Sequence, residues 1–573
     1  MLWRCQPQHR LTLYWSVIAP DKSKAQIEAE KWILVVPYAP GKYCLPLCTL
    51  TFQRWMLFVA SFVAQFCNGS LYAWSILNPH IDSFIQGRSM DAVPTQNKTG
   101  LSSALPPDEK AVVAFYIAAG VLGFAAALSG PFIERHGPRH SLIVALCLLF
   151  VGYLAAFFSI HYKSYVGLYI GYGVFCGAGY GIGYIAPVSA LIKWYPDLRG
   201  TAGGFGVCGF GLGAAIWGDM YEPLIAAVGI DWFFLVFGAI LSLILLISAF
   251  VLRTPPPNYV VGGRNVHGVK VSVPREDSIC EKPEGNSERT ERVSVVLEDE
   301  RKDHYFNVFD YQEQELGEAE ILYHNKIKNL RIRECVVSVD FAFLYVVFFG
   351  AVATGIVLMS RVFTIGKEIF LQEDDHTMTL LVMYLSICNF LGRTLCPLLS
   401  DAFIRFAQLN PAFGRKFVIG LLLVDQVVVL ALLKSLIHDP NSFGLFQVVL
   451  FFLTFSYGGV LGMIPSLLTD MYGVYNSGTM HGIILTAWSI GAIGGGLTFQ
   501  HYFFKIKDSY PMEQMRDGEI AAYIFNFHWL LVIACIALAL VPLVRTNPVD
   551  RFYPGYQFSI FGRPLIRFTK KDY

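Results

Sequence analysis

The sequence predicts an all-α membrane protein of twelve spanning helices, arranged as two six-helix bundles that repeat one another. Three observations predict it. The 573-residue chain is 54% hydrophobic and 15% charged, with a mean hydropathy of +0.48, which is too apolar for a chain covered by water. Apolar runs of about 20 residues, the length that crosses a bilayer as a helix, recur twelve times between polar or Pro/Gly-rich connections. A hydrophilic stretch of mixed charge, residues 253–339, divides those runs six and six.

In chain order, the first six runs are expected at Trp55–Leu77, Ala111–Ile133, His140–Ile160, Ser164–Ile192, Gly200–Trp217 and Trp232–Leu252. The second six are expected at Asp340–Val362, Met378–Ser400, Phe417–Ile437, Phe443–Leu468, Gly478–Gln500 and Tyr523–Val544. The chain thus divides into an arm (1–54), a bundle (55–252), a linker (253–339), a second bundle (340–544) and a basic tail (545–573). The arm holds apolar stretches such as WILVVPYAP, but prolines and lysines break them, so it reads neither as a thirteenth span nor as a clear cleavable signal. The linker contains ERTERVSVVLEDERKDH and few aromatics, the composition of a largely disordered segment, with a helix conceivable over Tyr311–Arg333.

Short loops bearing Arg135 and Arg139, Lys193 and Arg199, and Arg405, Arg415 and Lys416 fall on one side of the membrane, as does the tail RPLIRFTKKDY. The positive-inside rule makes that side cytoplasmic and places both termini and the linker there. The opposite side receives the loop Asn78–Lys110 with the glycosylation sequon Asn97-Lys98-Thr99. An outer loop that can be glycosylated favours the plasma membrane over an organelle. The twelve cysteines show no CxxC and no Cys/His spacing that suits a metal, and they read as small buried hydrophobes. No cofactor motif is expected: Gly181-Ile-Gly183-Tyr-Ile-Ala186 has the G-x-G-x-x-A spacing but lies inside an apolar span without a strand before it. A net charge of +1 and the lack of a basic patch interleaved with aromatics give no reason to expect nucleic acid. The absence of HExxH, G-x-S-x-G and P-loop motifs indicates neither a hydrolase nor ATP drive.

The two halves echo each other. Pro187 lies 13 residues before Gly200, and Pro465 lies 13 before Gly478, each pair ending one span and opening the next. GPFIERHGPRH after the second run is matched after the eighth by PLLSD and, beyond an insertion, GRK. Repeated halves of this kind suit a carrier that rocks about a central site.

The loop Gly130, Glu134, Arg135, Gly137 and Arg139 carries the G-x-x-x-D/E-R-x-G-x-R pattern, and by it the chain resembles the major facilitator superfamily. The resemblance implies a gate role for these five residues and for Asp401 at the matching place in the second half. Three further segments, NGSLYAWSIL (Asn68–Leu77), KWYPDLRGTAGGFGVCGFGLG (Lys193–Gly213) and Asn389–Arg393, resemble the oxalate/formate antiporter and monocarboxylate porter group. The acidic-Gly-Gly-Trp opening of animal monocarboxylate porters is absent before Trp55, which favours the oxalate/formate-like branch.

Thr377–Ser400 contains a single charge, Arg393. A guanidinium in hydrocarbon cannot shed its proton and must face a cavity or a partner, so its default reading is functional. Asn389 lies four residues earlier on the same helix face, and the pair suits a carboxylate: a bidentate fork plus an amide donor. A latch between helices or an arginine snorkelling to the surface is the bland alternative. The resemblance implies that an arginine at this position anchors the carboxylate.

Gln65, Asn68 and Tyr72 share one face of the first run and are candidate cavity donors, with interhelical glue the equally ordinary role. The resemblance favours Tyr72, since the related oxalate carrier places a tyrosine there. In TAWS (Thr486–Ser489) the related exchanger has a lysine at the position of Trp488; a lone buried cation suits a monoanion better than a dianion. Asp425, in LLLVDQVVVLALL, is a candidate proton-coupling carboxylate, although a structural hydrogen bond is the commoner fate of such a group. Arg361 reads as an interfacial arginine.

The expected function is secondary transport of a small monocarboxylate such as pyruvate, lactate or formate, by proton symport or anion exchange. The runners-up are a carrier of amino acids or other small metabolites, and a non-transporting membrane sensor. The expected partners are a small organic anion, with or without a proton, and the lipid bilayer.

Overall fold

The computed structural model describes residues 14, 22–39, 41–44, 50–87, 110–256, 259–268, 326–327, 329–372, 375–511, 514–553, 555–560 and 563–569. Among these, eleven helices are long and apolar enough to cross a membrane. One of them counts twice. Ala111–His161 has 51 residues, roughly 76 Å of helix at about 1.5 Å per residue, more than twice a bilayer core of about 30 Å. It turns at Gly137, whose φ of 79° and ψ of 171° are open to glycine and costly for other residues, and Pro138 starts the next helix. The second and third spans therefore meet at the signature loop, and the fold has twelve spans.

The remaining spans are Tyr165–Trp194, Arg199–Val228 and Ile230–Val251 in the first half. In the second half they are Val339–Met359, Thr377–Phe406, Pro411–Leu436, Pro440–Tyr472, Val474–Lys507 and Met515–Leu543. The first span departs from expectation. Met56–Asn68 passes through a tighter turn, Gly69–Ala73, and continues as Trp74–Gln86, with Pro79 inside the helix where a loop was expected. Leu77 and Ile81 stay buried four residues apart, and the Asp82 carboxylate accepts from Ala111 N (3.1 Å) and the Tyr165 hydroxyl (2.8 Å). Packing and that cap hold the extra turns onto the bundle.

The termini are structured where they are described. In the arm, Ser23 caps the helix Lys24–Glu30, and Val36–Ala39 pairs with Lys42–Cys44. Arg253, just past the sixth span, donates to the carbonyls of Glu30 and Trp32. At the other end Arg545 grips Asp340 through two 2.9 Å bonds, and Asp550 accepts from Gln557 and Ser559 of the hairpin Gly555–Ile560 with Arg563–Thr569. Asn97 lies outside the described residues, as does most of the linker; its described parts include a short pair, Val260–Val261 with Arg264–Asn265, and the helix Ile332–Val336.

Candidate functional site

Arg393 lies in the eighth span and is 1% exposed. Its Nε donates to Asn389 Oδ1 at 2.8 Å and its Nη1 to the carbonyl of Val207, in the fifth span, at 3.1 Å. Among the described residues no carboxylate lies within ion-pair reach of it. The guanidinium carbon lies 5.4 Å from the Phe210 ring centroid, and Tyr72, Tyr184 and Tyr457 surround the group. Arg393 is therefore a cation balanced by dipoles and π faces alone. Those partners give partial compensation for a charge taken out of water.

The helix turn that carries Arg393 is held by close backbone packing. A side chain at Gly462 would meet the Arg393 carbonyl at 2.5 Å, and one at Gly211 would meet Asn389 Oδ1 at 2.7 Å. Asn389 sits against Arg393. Its oxygen accepts from the guanidinium and so orients Arg393, while its Nδ2 is directed at the Thr454 carbonyl at 3.5 Å. The i, i+4 spacing explains this, since it brings acceptor and donor together on one helix face.

Tyr72 and Trp488 do meet at the centre. The Tyr72 hydroxyl lies 2.9 Å from that of Tyr457, and Trp488 Nε1 donates to the same Tyr457 oxygen at 2.8 Å. The hydroxyl–hydroxyl bond crosses between the halves. Only one of the two hydroxyl protons is engaged in it, so the pair retains a donor. Phe210 packs edge-on against both Tyr72 (4.8 Å) and Tyr184 (5.5 Å), joining the tyrosines to Arg393.

Gln65 and Asn68 are fully buried beside the fourth span. Gln65 Nε2 donates to the Tyr184 carbonyl at 2.7 Å, and among the described residues its Oε1 has no partner. Both amide atoms of Asn68 lack one as well. By contrast Trp74 packs within the first half, stacked on Tyr172 at 3.9 Å and bonded to the Ala111 carbonyl.

At the end of the molecule that bears the basic loops, the halves are latched. Glu134 Oε1 accepts from Gly478 N (2.9 Å) and Ser189 Oγ (3.0 Å), while its Oε2 pairs with Lys193. Asp401 does the same in reverse, accepting from Gly200 N (3.1 Å), Thr201 N (2.7 Å) and Arg415 Nη1 (2.9 Å). Asp470 then bridges Arg415 (2.6 Å) and Arg199 (3.1 Å) across the halves. Each carboxylate sits at the first turn of a helix from the other half, where free N–H groups and the helix dipole favour a negative charge. Gly130 belongs to this contact, since a side chain there would meet Thr479 Cα at 2.5 Å.

Among the described residues, the hydrogen bonds of Arg139 stay within the first half and the arm. Arg139 donates to the carbonyls of Phe250 (2.8 Å), Ala249 (3.3 Å) and Val35 (3.2 Å), capping the sixth span and pinning the arm; Arg135 donates to the Tyr14 carbonyl at 2.7 Å. The turn at Gly137 sends the chain back into the first half, and Arg139 goes with it. Asp425 accepts a hydrogen bond from Ser456 of the neighbouring tenth span. Arg361 lies over the Phe499 ring at 5.6 Å.

Four central residues escaped the sequence reading: Tyr184, Phe210, Tyr457 and His481. Only His481 carried a usable signal. It is an ionisable residue in an apolar span, seven residues and so about two turns before Trp488. The aromatic three look like ordinary core residues until the fold brings them to Arg393.

The Major Facilitator Superfamily model matches residues 55–496. The uncharacterized MFS-type transporter YhjX of Escherichia coli (strain K12) is 22% identical over 440 residues, covering 77% of this chain and 86% of that protein. The oxalate:formate antiporter of Oxalobacter formigenes is 22% identical over 448 residues, covering 78% and 84% respectively. Among solved structures, the proton:xylose symporter XylE superposes with a TM-score of 0.53 at 14% identity, covering 85% of this chain and 94% of that one.

Proposed function

Because the chain belongs to the Major Facilitator Superfamily, and so is a multi-pass membrane transporter, we propose that it carries a small monocarboxylate across the bilayer by alternating access. The observation that carries this reading is Arg393: a buried guanidinium, held by Asn389, with no acidic partner among the described residues. A carboxylate supplies the missing charge, and the tyrosine pair supplies one further donor. The cluster supports a singly charged ligand. Trp488 offers one N–H, already bonded to Tyr457, and no charge. An amino acid would also need an acid for its ammonium group, and Tyr72, Tyr184, Tyr457, Trp488 and Asn389 offer none.

Anion binding and the gate are coupled in this reading. Arg393 belongs to the second half and Val207 to the first, so their bond helps hold the fifth and eighth spans together. A carboxylate that takes over the guanidinium N–H loosens that contact. Rocking then requires Glu134 and Asp401 to leave the helix ends they cap. By the positive-inside rule the latched end faces the cytoplasm, and we place the carrier in the plasma membrane. Proton symport and anion exchange both fit this geometry.

The test is uptake of labelled pyruvate, lactate, formate and oxalate into proteoliposomes of the purified chain and of Arg393→Ala, with and without a pH gradient. Saturable uptake of a monoanion, lost in the variant, is the expected result. Uptake of no anion, or undiminished uptake by the variant, overturns the reading.

A further inference from the structure

Beside Arg393 the centre holds a group of buried polar atoms that meet no partner among the described residues at hydrogen-bond geometry. Among the described residues, Asn68 Oδ1 and Nδ2, Gln65 Oε1, the Tyr184 hydroxyl and His481 Nε2 find no hydrogen-bond partner. Asn68 and Gln65 are 0% exposed, His481 1% and Tyr184 4%. Each such atom is costly when left unsatisfied in a dry interior. Five of them in one region mark a place built for something else to bond.

The group is contiguous. Gln65 donates to the Tyr184 backbone, and Asn68 fills the space that Gly183 leaves open, where a side-chain carbon would come within 3.1 Å of its amide. The Tyr184 ring lies 5.7 Å from the His481 ring and 5.5 Å from that of Phe210, which in turn lies under Arg393. Gln65, Asn68 and Tyr184 come from the first half, and His481 from the second. The free atoms include donors and acceptors, and none belongs to a charged side chain while His481 is neutral.

We propose that Tyr184 and His481, with Asn68, form a second subsite that reads a neutral hydrogen-bonding oxygen on the substrate, so that the carrier selects carboxylates bearing an oxo or hydroxyl group next to the carboxylate. Arg393 takes the charge, and the subsite takes the adjacent oxygen. A plain alkanoate leaves the buried atoms unsatisfied and is disfavoured for that reason. This inference rests on the carboxylate reading of Arg393 and adds the requirement for a second functional group.

The experiment is competition against labelled pyruvate uptake in proteoliposomes of the full chain, with lactate and propionate as matched competitors that differ by one hydroxyl. In the wild type, lactate is expected to compete at least about tenfold better than propionate. Tyr184→Phe, which removes a single oxygen, is expected to bring that ratio towards one, whereas His481→Gln, which keeps a neutral polar end, retains part of it. A purely structural role for Tyr184 would lower both competitors together and keep the ratio, which overturns the proposal. Equal competition by lactate and propionate in the wild type overturns the subsite while leaving the carboxylate reading intact, and does so even if the variants fail to fold. Absence of saturable uptake of every acid overturns the carboxylate reading itself.

Discussion

Glu134 and Asp401 are counterparts: each carboxylate, from the end of one span, caps the first turn of a helix in the opposite half, at Gly478 and Gly200 respectively. The relationship also explains why glycine stands at both helix starts, Gly200 and Gly478. At both glycines a side chain would collide with the carboxylate that caps the helix.

Removing either carboxylate should open the latched end. Deleting one partner of a buried pair costs about 3–5 kcal/mol, enough to reverse a modest bias between gate states. Thr479, fully buried against Gly130, serves as reporter: maleimide labelling of Thr479→Cys should accelerate at least tenfold when combined with Glu134→Ala or Asp401→Ala. Unchanged labelling would show that these caps do not hold the gate.

Gly200→Ala and Gly478→Ala should each weaken the latch through steric conflict, without removing any charge. Overpacking of this kind costs about 1–3 kcal/mol. Lower thermal stability and slower uptake are expected in both, whereas Gly444→Ala, in open space, should behave as wild type in the same assays.

Asn389→Ala should leave Arg393 charged but poorly oriented. Losing a hydrogen bond to a charged group, worth about 2 kcal/mol, corresponds to roughly a 30-fold rise in KM. Asn389→Asp is the sharper test, since it puts a counter-ion on the guanidinium and should abolish anion uptake. Retained uptake in Asn389→Asp would falsify the assignment of Arg393 as the anion site.

Tyr457→Phe breaks both the bond to Tyr72 and the bond from Trp488, whereas Tyr72→Phe breaks only the first. Transport should fall further in Tyr457→Phe, which leaves the buried indole N–H unsatisfied at about 1–3 kcal/mol. Equal effects would mean that Trp488 has little role beyond filling space.

Asp425→Asn should preserve the ratio of uptake at acidic to neutral pH, because the carboxylate is bonded to Ser456 at the ninth–tenth span contact. A flattened pH profile in this variant would instead make Asp425 the coupling group.

Much of this protein is determined by the sequence alone. Span length and apolar content follow from the thickness of hydrocarbon, and the repeat is visible because the glycines at helix starts and the loop carboxylates recur at matching places. Arg393 stands out because its charge cannot be hidden. Partner choice is another matter, since it depends on which helices face each other and at what height. Arg139 shares a motif with Glu134, yet the turn at Gly137 between them directs Arg139 into its own half while Glu134 reaches across. Asn389 is aimed at Arg393 by helix geometry, and Tyr184, Tyr457, Phe210 and His481 acquire meaning only when spans far apart in the chain converge. Hydropathy records what each segment is soluble in; only the packed fold decides which buried polar atoms find a partner and which are left for a ligand.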